Sequence, residues 1–597
     1  MIYNSKNVVL TVLSSLHMLV SLFSIGTLIY YYGFPLTREE KHVAFILLQY
    51  SFAFYIIRFL IKVVYEFDVP KFLKENMFEG IVLGILTLEG IFYNFTGSFL
   101  TEPLFNSIGI SGFGDFYMVF VQVFIFILVI TNVVKQRRFK PWTKIHPGWL
   151  FTLSICLLTI IGAGLLSLPE MTKNGISLVD ATFTSMSAVS VTGLTTFDIS
   201  QVLTLKGQIV LMFLMKLGGL NTIAFGALML VVAKFGVGIK YHEVIEDFVN
   251  RDSILSANSM LAKIILWATT IEVIGIILLY FGLGNEGVFA DNGMRVFHSV
   301  FHGISGFNNA GFSSLSGGMM HPEVLSNTFV HTVIMVLFFL GGFGMIYLFD
   351  LFELKRLRER MRMPWKTIEF GTQISLYFTV ALLLIGGVVF FIFEYDRSLR
   401  HESFIADIAH SLFMSMTTRN AGFNVVDTAA LSVPVLIVFL FLMFVGASSG
   451  SAGGGIRTST FAVVWASVIS VIRGKKNTEL FKRTISQDMV MKSYSIMIFF
   501  VFGNIIGPFA LSITEADLLT GAGGKYDFMD LVFEHVSAAS TVGLSTGITG
   551  EMSAAGKCIL ILAMFIGRVG TLTIAYLLGK SVISKNYKYP SGHTMLG

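Results

Sequence analysis

Charge is what this sequence has least of. Only 13% of its 597 residues are Asp, Glu, Lys or Arg, about half the share of a soluble domain, while 54% are hydrophobic and 58 are Phe. That balance excludes a water-facing globular fold. Cysteine is nearly absent. Cys156 and Cys558 both lie in apolar stretches, which leaves no disulfide framework and no thiolate metal site. Also missing are a glycine-rich dinucleotide fingerprint, a Walker motif and the phosphorylation motif of a P-type pump, so the chain has no means of its own to hold a nucleotide or use ATP. Its histidines supply one pair four residues apart, His298 and His302, where a diiron membrane enzyme needs several. The expectation is a protein that is not an enzyme and carries no cofactor. The net charge of +5 suits basic cytoplasmic loops better than a nucleic-acid partner.

What the sequence has in quantity is apolar runs of about 20 residues, each long enough to cross a lipid bilayer. Strands of a transmembrane barrel would instead alternate over about ten residues. The fold class expected is an all-α polytopic membrane protein. The first run, 8–32, is too long for a signal-peptide core and lacks a small-residue cleavage site, so it reads as a retained helix.

Basic residues set the topology. They cluster at Lys135–Lys144, at Lys234, Lys240 and Arg251, at Lys355–Lys366, at Arg473–Arg483 and in the tail from Lys580. By the positive-inside rule these segments are cytoplasmic, whereas 98–114, with no Lys or Arg, is outside. Four runs precede the first cluster, at 8–32, 42–67, 79–97 and 116–134, which keeps the N-terminus inside. Each later interval holds two long runs with a short, more polar helix between them: 148–168 with 206–232, 261–283 with 326–352, 369–394 with 432–472, and 492–513 with 556–581. Two crossings return the chain to the cytoplasm, so each middle segment starts and ends outside. At about a dozen residues it is too short to span and must dip in and return, which backbone tolerates only where protein buries it or it lines a water-filled cavity.

The turns after these short helices repeat. They read SVTGLTTFD (190–198), FNNAGFSSL (307–315), RNAGFNVVD (419–427) and STVGLSTGI (540–548). Aligned on Gly193, Gly311, Gly422 and Gly543, the next residue is always large and apolar: Leu194, Phe312, Phe423, Leu544. The one after is always small and polar: Thr195, Ser313, Asn424, Ser545. A Phe stands nine or ten places upstream, at 183, 301, 413 and 533. This internal repeat predicts four helix–pore-helix–helix units around one pseudo-fourfold axis, over residues 147–245, 255–362, 364–476 and 490–585, with 1–146 as accessory transmembrane helices.

Four short helices followed by extended turns can present rings of carbonyl oxygens that replace the hydration shell of a cation. Glycine permits the backbone angles and the close approach, and the partly negative helix C-termini favour a cation. The candidate filter is therefore Val191, Thr192 and Gly193; Asn309, Ala310 and Gly311; Asn420, Ala421 and Gly422; and Thr541, Val542 and Gly543.

These turns resemble those of the Trk/Ktr/HKT superfamily of K⁺ transporters, its TrkH branch in particular, over about residues 147–585. The resemblance implies K⁺ as substrate, a homodimer in the cytoplasmic membrane with both termini inside, and a cytoplasmic ring of separate RCK-type nucleotide-binding subunits. Glycine at all four turns is associated with preference for K⁺, serine at the first with Na⁺. The third inner helix is interrupted by GASSGSAGGGIRTST (446–460), too rich in glycine for continuous helix. The resemblance makes this stretch an intramembrane gate under the filter, formed by Gly446, Ser448, Ser449, Gly450, Ser451, Gly453, Gly454 and Gly455 with Arg568 beside it. Aligning FIGR with LKLGG and FFLGG sets Arg568 level with Gly219 and Gly342.

A second intramembrane charge, Lys216, stands where the family commonly has glutamine, and Glu272 and Glu89 are its two candidate partners. Arg457 is a candidate contact for the regulatory ring, and Asp198 and Asp427 are candidate cation attractors at the outer mouth. The function expected is channel-like K⁺ uptake. The alternatives are a Na⁺- or H⁺-coupled symporter and the K⁺-binding subunit of a pump.

Overall fold

The structure, a computed structural model, describes residues 6–66, 68–96, 147–234, 257–284, 286–363, 365–399, 403–520 and 525–570. The expected fourth span at 116–134, the basic clusters at 135–144 and 240–251, and the tail after 570 lie outside the described residues.

Nearly all of what is described is helix. The N-terminal part comprises α1 (Lys6–Gly33), α2 (Arg38–Val64), α3 (Val69–Glu75) and α4 (Met77–Thr96). α1 packs on α2, with Ser21 and Tyr55 hydroxyls 2.7 Å apart, and Arg58 of α2 reaches Glu79 of α4 at 3.6 Å. The C-terminal end of α1 also meets the turn at 169–171 in the first unit, which ties this part to the rest.

The four units follow. The first has α5 (Pro147–Leu166), the short α6 (Leu178–Ser190) and α7 (Leu205–Lys234). The second has α8 (Ala257–Gly282), the short α9 (Asn292–Phe307), α10 (Thr328–Phe343) and α11 (Met345–Phe352), followed by the basic α12 (Leu354–Arg362). The third has α13 (Phe370–Glu394), the short α14 (Phe404–Asn420), α15 (Val433–Phe444) and α16 (Thr458–Ile472). The fourth has α17 (Gln487–Thr514), the short α18 (Phe528–Ala539) and α19 (Ala554–Val569). Among the described residues, six helices are long and apolar enough to cross a membrane, or seven if the bent pair α10–α11 counts as one.

Burial is arranged for lipid. Ile160, Phe281 and Phe509 are more than 60% exposed on the outer helices, while Ser185, Ser187, Ser190 and Thr192 are fully buried on or just after α6. Each short helix starts at a residue suited to capping. Ser177, Asp291 and Ser403 accept backbone N–H bonds from Asp180, Met294 and Ala406, and Asp527 forms a capping box with Asp530. Each such cap contributes about 1 kcal/mol and fixes where the helix begins.

The units close on themselves. The inner helix of each lies on the short helix of the next: α7 on α9, α10 on α14, α15 on α18, and finally α19 back on α6. One feature departs from the sequence expectation of a continuous inner span at 326–352. α10 and α11 are bent by 102° at Gly344, whose φ of 94° and ψ of 133° are denied to other residues. The only strands among the described residues are a hairpin of Glu479–Leu480 with Arg483–Thr484.

Candidate functional site

The four glycine turns meet in a ring. A Cβ added to Gly193 would sit 2.5 Å from the Ala310 carbonyl oxygen, and one on Gly311 would sit 2.6 Å from that of Ala421. One on Gly422 would strike the Val542 oxygen, and one on Gly543 the Thr192 oxygen, which closes the circuit. All four glycines have positive φ, between 70° and 97°. Three residues two places before a glycine are left-handed although they are not glycine: Val191 (φ 57°), Asn309 (φ 59°) and Thr541 (φ 51°). Such angles cost about 1–3 kcal/mol each and persist only where the surroundings enforce them. The third turn differs. α14 runs through Asn420, and Ala421 has φ −119°.

The surroundings do enforce these turns. The large apolar residue after each glycine is at most 2% exposed, as is each upstream Phe. A hydroxyl five or six places before each glycine grips the turn. Ser187 Oγ and Ser537 Oγ accept from the Gly193 and Gly543 N–H, both at 3.1 Å. Ser305 Oγ donates to the Phe312 carbonyl at 2.8 Å and Thr417 Oγ1 to that of Phe423 at 2.7 Å. Sequence reasoning missed these four hydroxyls: aligned on the glycines, Ser187, Ser305 and Ser537 share a column, but Thr417 stands one place out of register. The side chains of all eight non-glycine candidates in the ring are buried, so backbone is what the turns offer to one another.

Directly against the ring lies a non-helical stretch, 445–457, between α15 and α16. A Cβ on Gly454 would sit 3.0 Å from the Ser540 carbonyl oxygen, and one on Gly453 would sit 2.9 Å from Asn420 Cβ. The loop is stitched to α10 by the Ser448 N–H donating to the Gly342 carbonyl (3.2 Å). Ser375 and Ser448 hydroxyls pair at 2.5 Å, and Ser449 and Ser459 hydroxyls at 2.7 Å. Gly344, at the α10–α11 bend, faces the Ser449 carbonyl.

Three guanidinium groups hold this stretch, those of Arg568 and Arg419 buried and that of Arg457 half-buried. Arg568 donates to the Ala452 carbonyl and, at 2.8 Å, to that of Gly218 on α7. Arg419, the largest fully buried side chain, donates to the Gly446 carbonyl (2.9 Å) and Thr458 Oγ1 (3.1 Å). Arg457 donates to the Gly453 carbonyl. Sequence reasoning offered Arg457 either as a contact for the regulatory ring or as a charge that only obeys the positive-inside rule. The structure turns it into the loop, where unpaired carbonyls need donors. Arg419 was missed, because nothing in RNAGF distinguishes a motif arginine from a structural one. Gly218, Gly341 and Gly567 each tuck against the carbonyl four places before a ring glycine, those of Val189, Phe307 and Ala539. That register sets Arg568 level with Gly219 and Gly342.

Lys216 pairs with Glu272 of α8, which is 4% exposed. The second carboxylate oxygen of Glu272 accepts from Asn308 Nδ2 at 2.8 Å, beside the second turn. The Glu89 side chain lies outside the described residues. Asp198 and Asp427 act as caps. Asp198 accepts from Ser200 N and Ser316 Oγ, and Asp427 from Ala429 N. On the exposed surface, the hydrogen bond from Lys206 to Glu170 (2.9 Å) holds that carboxyl below its ordinary range. Among the described residues no group of three or more His, Cys, Asp or Glu is placed to hold a metal ion.

A lipid-facing bundle, buried polar backbone turns in a closed ring and short helices aimed at them define a multi-pass membrane transport protein. Comparison with known proteins gives the family. The TrkH family profile, described as a cation transport protein, matches residues 156–588, and the chain belongs to that family. It is 35% identical to the Ktr system potassium uptake protein B of Bacillus subtilis over 466 residues, covering 78% of this chain and all of that one. It is 32% identical to the potassium/sodium uptake protein NtpJ of Enterococcus hirae, covering 78% of this chain and all of that one. The solved structure of the potassium transporter TrkH from Vibrio parahaemolyticus shares the fold, with a TM-score of 0.58 at 17% identity, covering 83% of this chain and 98% of that one.

Proposed function

We propose that this chain takes up K⁺ across the cytoplasmic membrane by passive flow through the ring of four turns, with 445–457 and Arg568 as the gate beneath it. The observation that carries this reading is the closed circuit of glycines and carbonyls, in which each of Gly193, Gly311, Gly422 and Gly543 abuts the carbonyl of the next turn. Backbone oxygens held in such rings exchange for the water around a cation without carrying net charge, so an ion can enter and leave. Glycine at all four turns and relatives named for potassium uptake favour K⁺ over Na⁺.

Contact supports the gate: Gly453 and Gly454 lie against Asn420 and Ser540 of the third and fourth turns. In this reading a guanidinium about 8 Å from a passing cation, at an effective dielectric of about 20, would raise its energy by about 2 kcal/mol. That slows flow without forbidding it. The functional assembly in this reading is a homodimer in the bilayer with both termini cytoplasmic, regulated by a ring of separate RCK-type subunits that supply the nucleotide site; relatives named as parts of a Ktr system support a partnered transporter. The second reading is symport coupled to Na⁺ or H⁺, favoured by the relative named for both potassium and sodium.

The test is Rb⁺ and Na⁺ flux in proteoliposomes for the wild type and Gly193→Ser, with and without cytoplasmic partners. Rb⁺ flux that reverses with voltage alone, and a gain of Na⁺ flux in Gly193→Ser, are expected. No movement of either ion in the wild type under any of these conditions would end the conduit reading. Rb⁺ flux that requires a Na⁺ or H⁺ gradient would replace it with symport.

A further inference from the structure

We infer that Glu534 and His302 are positioning residues that set the ion selectivity of the ring, each by fastening the small polar residue two places after a ring glycine. The inference rests on the filter reading above and assigns the fastening to particular side chains.

The two sites share one pattern. Glu534 on α18 is fully buried, and its Oε1 accepts from the hydroxyls of Ser545 and Thr549. Ser545 Oγ in turn accepts from the Gly547 N–H at 2.8 Å. His302 on α9 is 3% exposed. Its Nδ1 lies 2.8 Å from the His298 carbonyl, which accepts only, so Nδ1 carries the proton and Nε2 is the acceptor. Ser313 Oγ, 2.9 Å away, therefore donates to Nε2, and it accepts from the Leu315 N–H at 3.1 Å. In both turns a buried acceptor on the pore helix, nine places before the glycine, holds a serine hydroxyl that holds the backbone beyond it.

The other two turns lack the device. The matching residue in the first is Thr184, whose hydroxyl has no hydrogen-bond partner. In the third, where the helix end shifts by one residue, it is the apolar Met414. Turns two and four face each other across the ring, since each touches turns one and three. The fastened pair thus forms one diagonal. Glu534 also leaves Oε2 without a partner, a cost that an apolar residue at this place would not incur. Sites that discriminate ions need their ligands held to within about 0.5 Å, and buried bonds to the pore helix supply that restraint.

The experiment compares Rb⁺ and Na⁺ uptake by the full-length protein in proteoliposomes. Glu534→Ala, Ser545→Ala and His302→Ala are each expected to lower the Rb⁺/Na⁺ ratio by about tenfold, equivalent to about 1.4 kcal/mol. Glu534→Gln, which keeps an acceptor, restores the ratio, and the double variant Glu534→Ala/Ser545→Ala is no worse than either single change. Thr184→Ala leaves the ratio unchanged. If Glu534→Ala does not yield monodisperse protein, Ser545→Ala, which removes one hydroxyl, carries the test. Wild-type ratios in Ser545→Ala and His302→Ala would overturn the inference and leave the filter reading standing. A wild type that does not distinguish Rb⁺ from Na⁺ would instead bring down the filter reading itself.

Discussion

The ring and the layer beneath it are built on opposite rules. In the ring, all four glycines have positive φ, three of the four turns share a left-handed residue two places earlier, and none of its twelve candidate residues is ionisable. Beneath it, the four inner helices differ. α7 continues through Leu220 and Asn221 without a break. α10 stops at Gly344 and the chain bends by 102°. The third helix gives way to loop at 445–457, and α19 stops at Gly570. Gly344 and Gly570 take the same shape, φ 94° and ψ 133° against φ 89° and ψ 134°, each three places after the glycine that tucks under a pore helix. The guanidinium groups of Arg419, Arg457 and Arg568 all belong to this lower layer. On the proposed reading, selection falls to the glycine turns and control of flow to the irregular layer beneath them.

Single substitutions put the contrast between the two layers to the test. The largest effect is expected for Gly543→Ala. Its Cβ would collide with the Thr192 carbonyl at a backbone angle unsuited to alanine, and Rb⁺ uptake should fall by about a hundredfold. Uptake near wild type would show that the turns need not approach so closely. Next is Arg568→Ala, which on the gate reading lowers a barrier of about 2 kcal/mol and should raise uptake several-fold, up to about thirtyfold. Unchanged or lower flux at normal expression would count against the barrier.

A stability effect comes third. Lys216→Met leaves the buried Glu272 carboxylate without its cation and should destabilise the protein by about 3 kcal/mol, seen as a lower Tm in detergent. Adding Glu272→Gln should recover part of the loss, because an amide oxygen still accepts from Asn308. The smallest effect is expected at the exposed Lys206–Glu170 pair. Glu170 has its pKa lowered by Lys206, so the pair stabilises the fold above the unfolded carboxylate pKa, and that contribution is lost as pH falls through the lowered folded value. Because the pair is exposed, Lys206→Met should reduce the acid dependence of Tm only slightly.

Much of the upper layer was legible in the sequence because it repeats. Four aligned turns identify glycines whose neighbours need not be known, and the same alignment set Arg568 level with Gly219 and Gly342. The lower layer was only partly legible. The glycine-rich stretch at 446–460 announced a break, and helix is absent from 445 to 457. The bend at Gly344 was hidden inside the apolar run 326–352, because hydropathy registers length and not direction. Contacts between distant residues were beyond reach in principle. Lys216 required an acid, but only packing decides that Glu272 provides it, and the roles of Arg419 and Arg457 depend on carbonyls that a broken helix exposes.

The most direct test measures Rb⁺ and Na⁺ flux together for the wild type and Arg568→Ala. If the ring selects and the layer beneath controls, flux of Rb⁺ rises while the Rb⁺/Na⁺ ratio stays at the wild-type value. A ratio that collapses as flux rises would mean that the two layers are not separate devices, and would contradict the account.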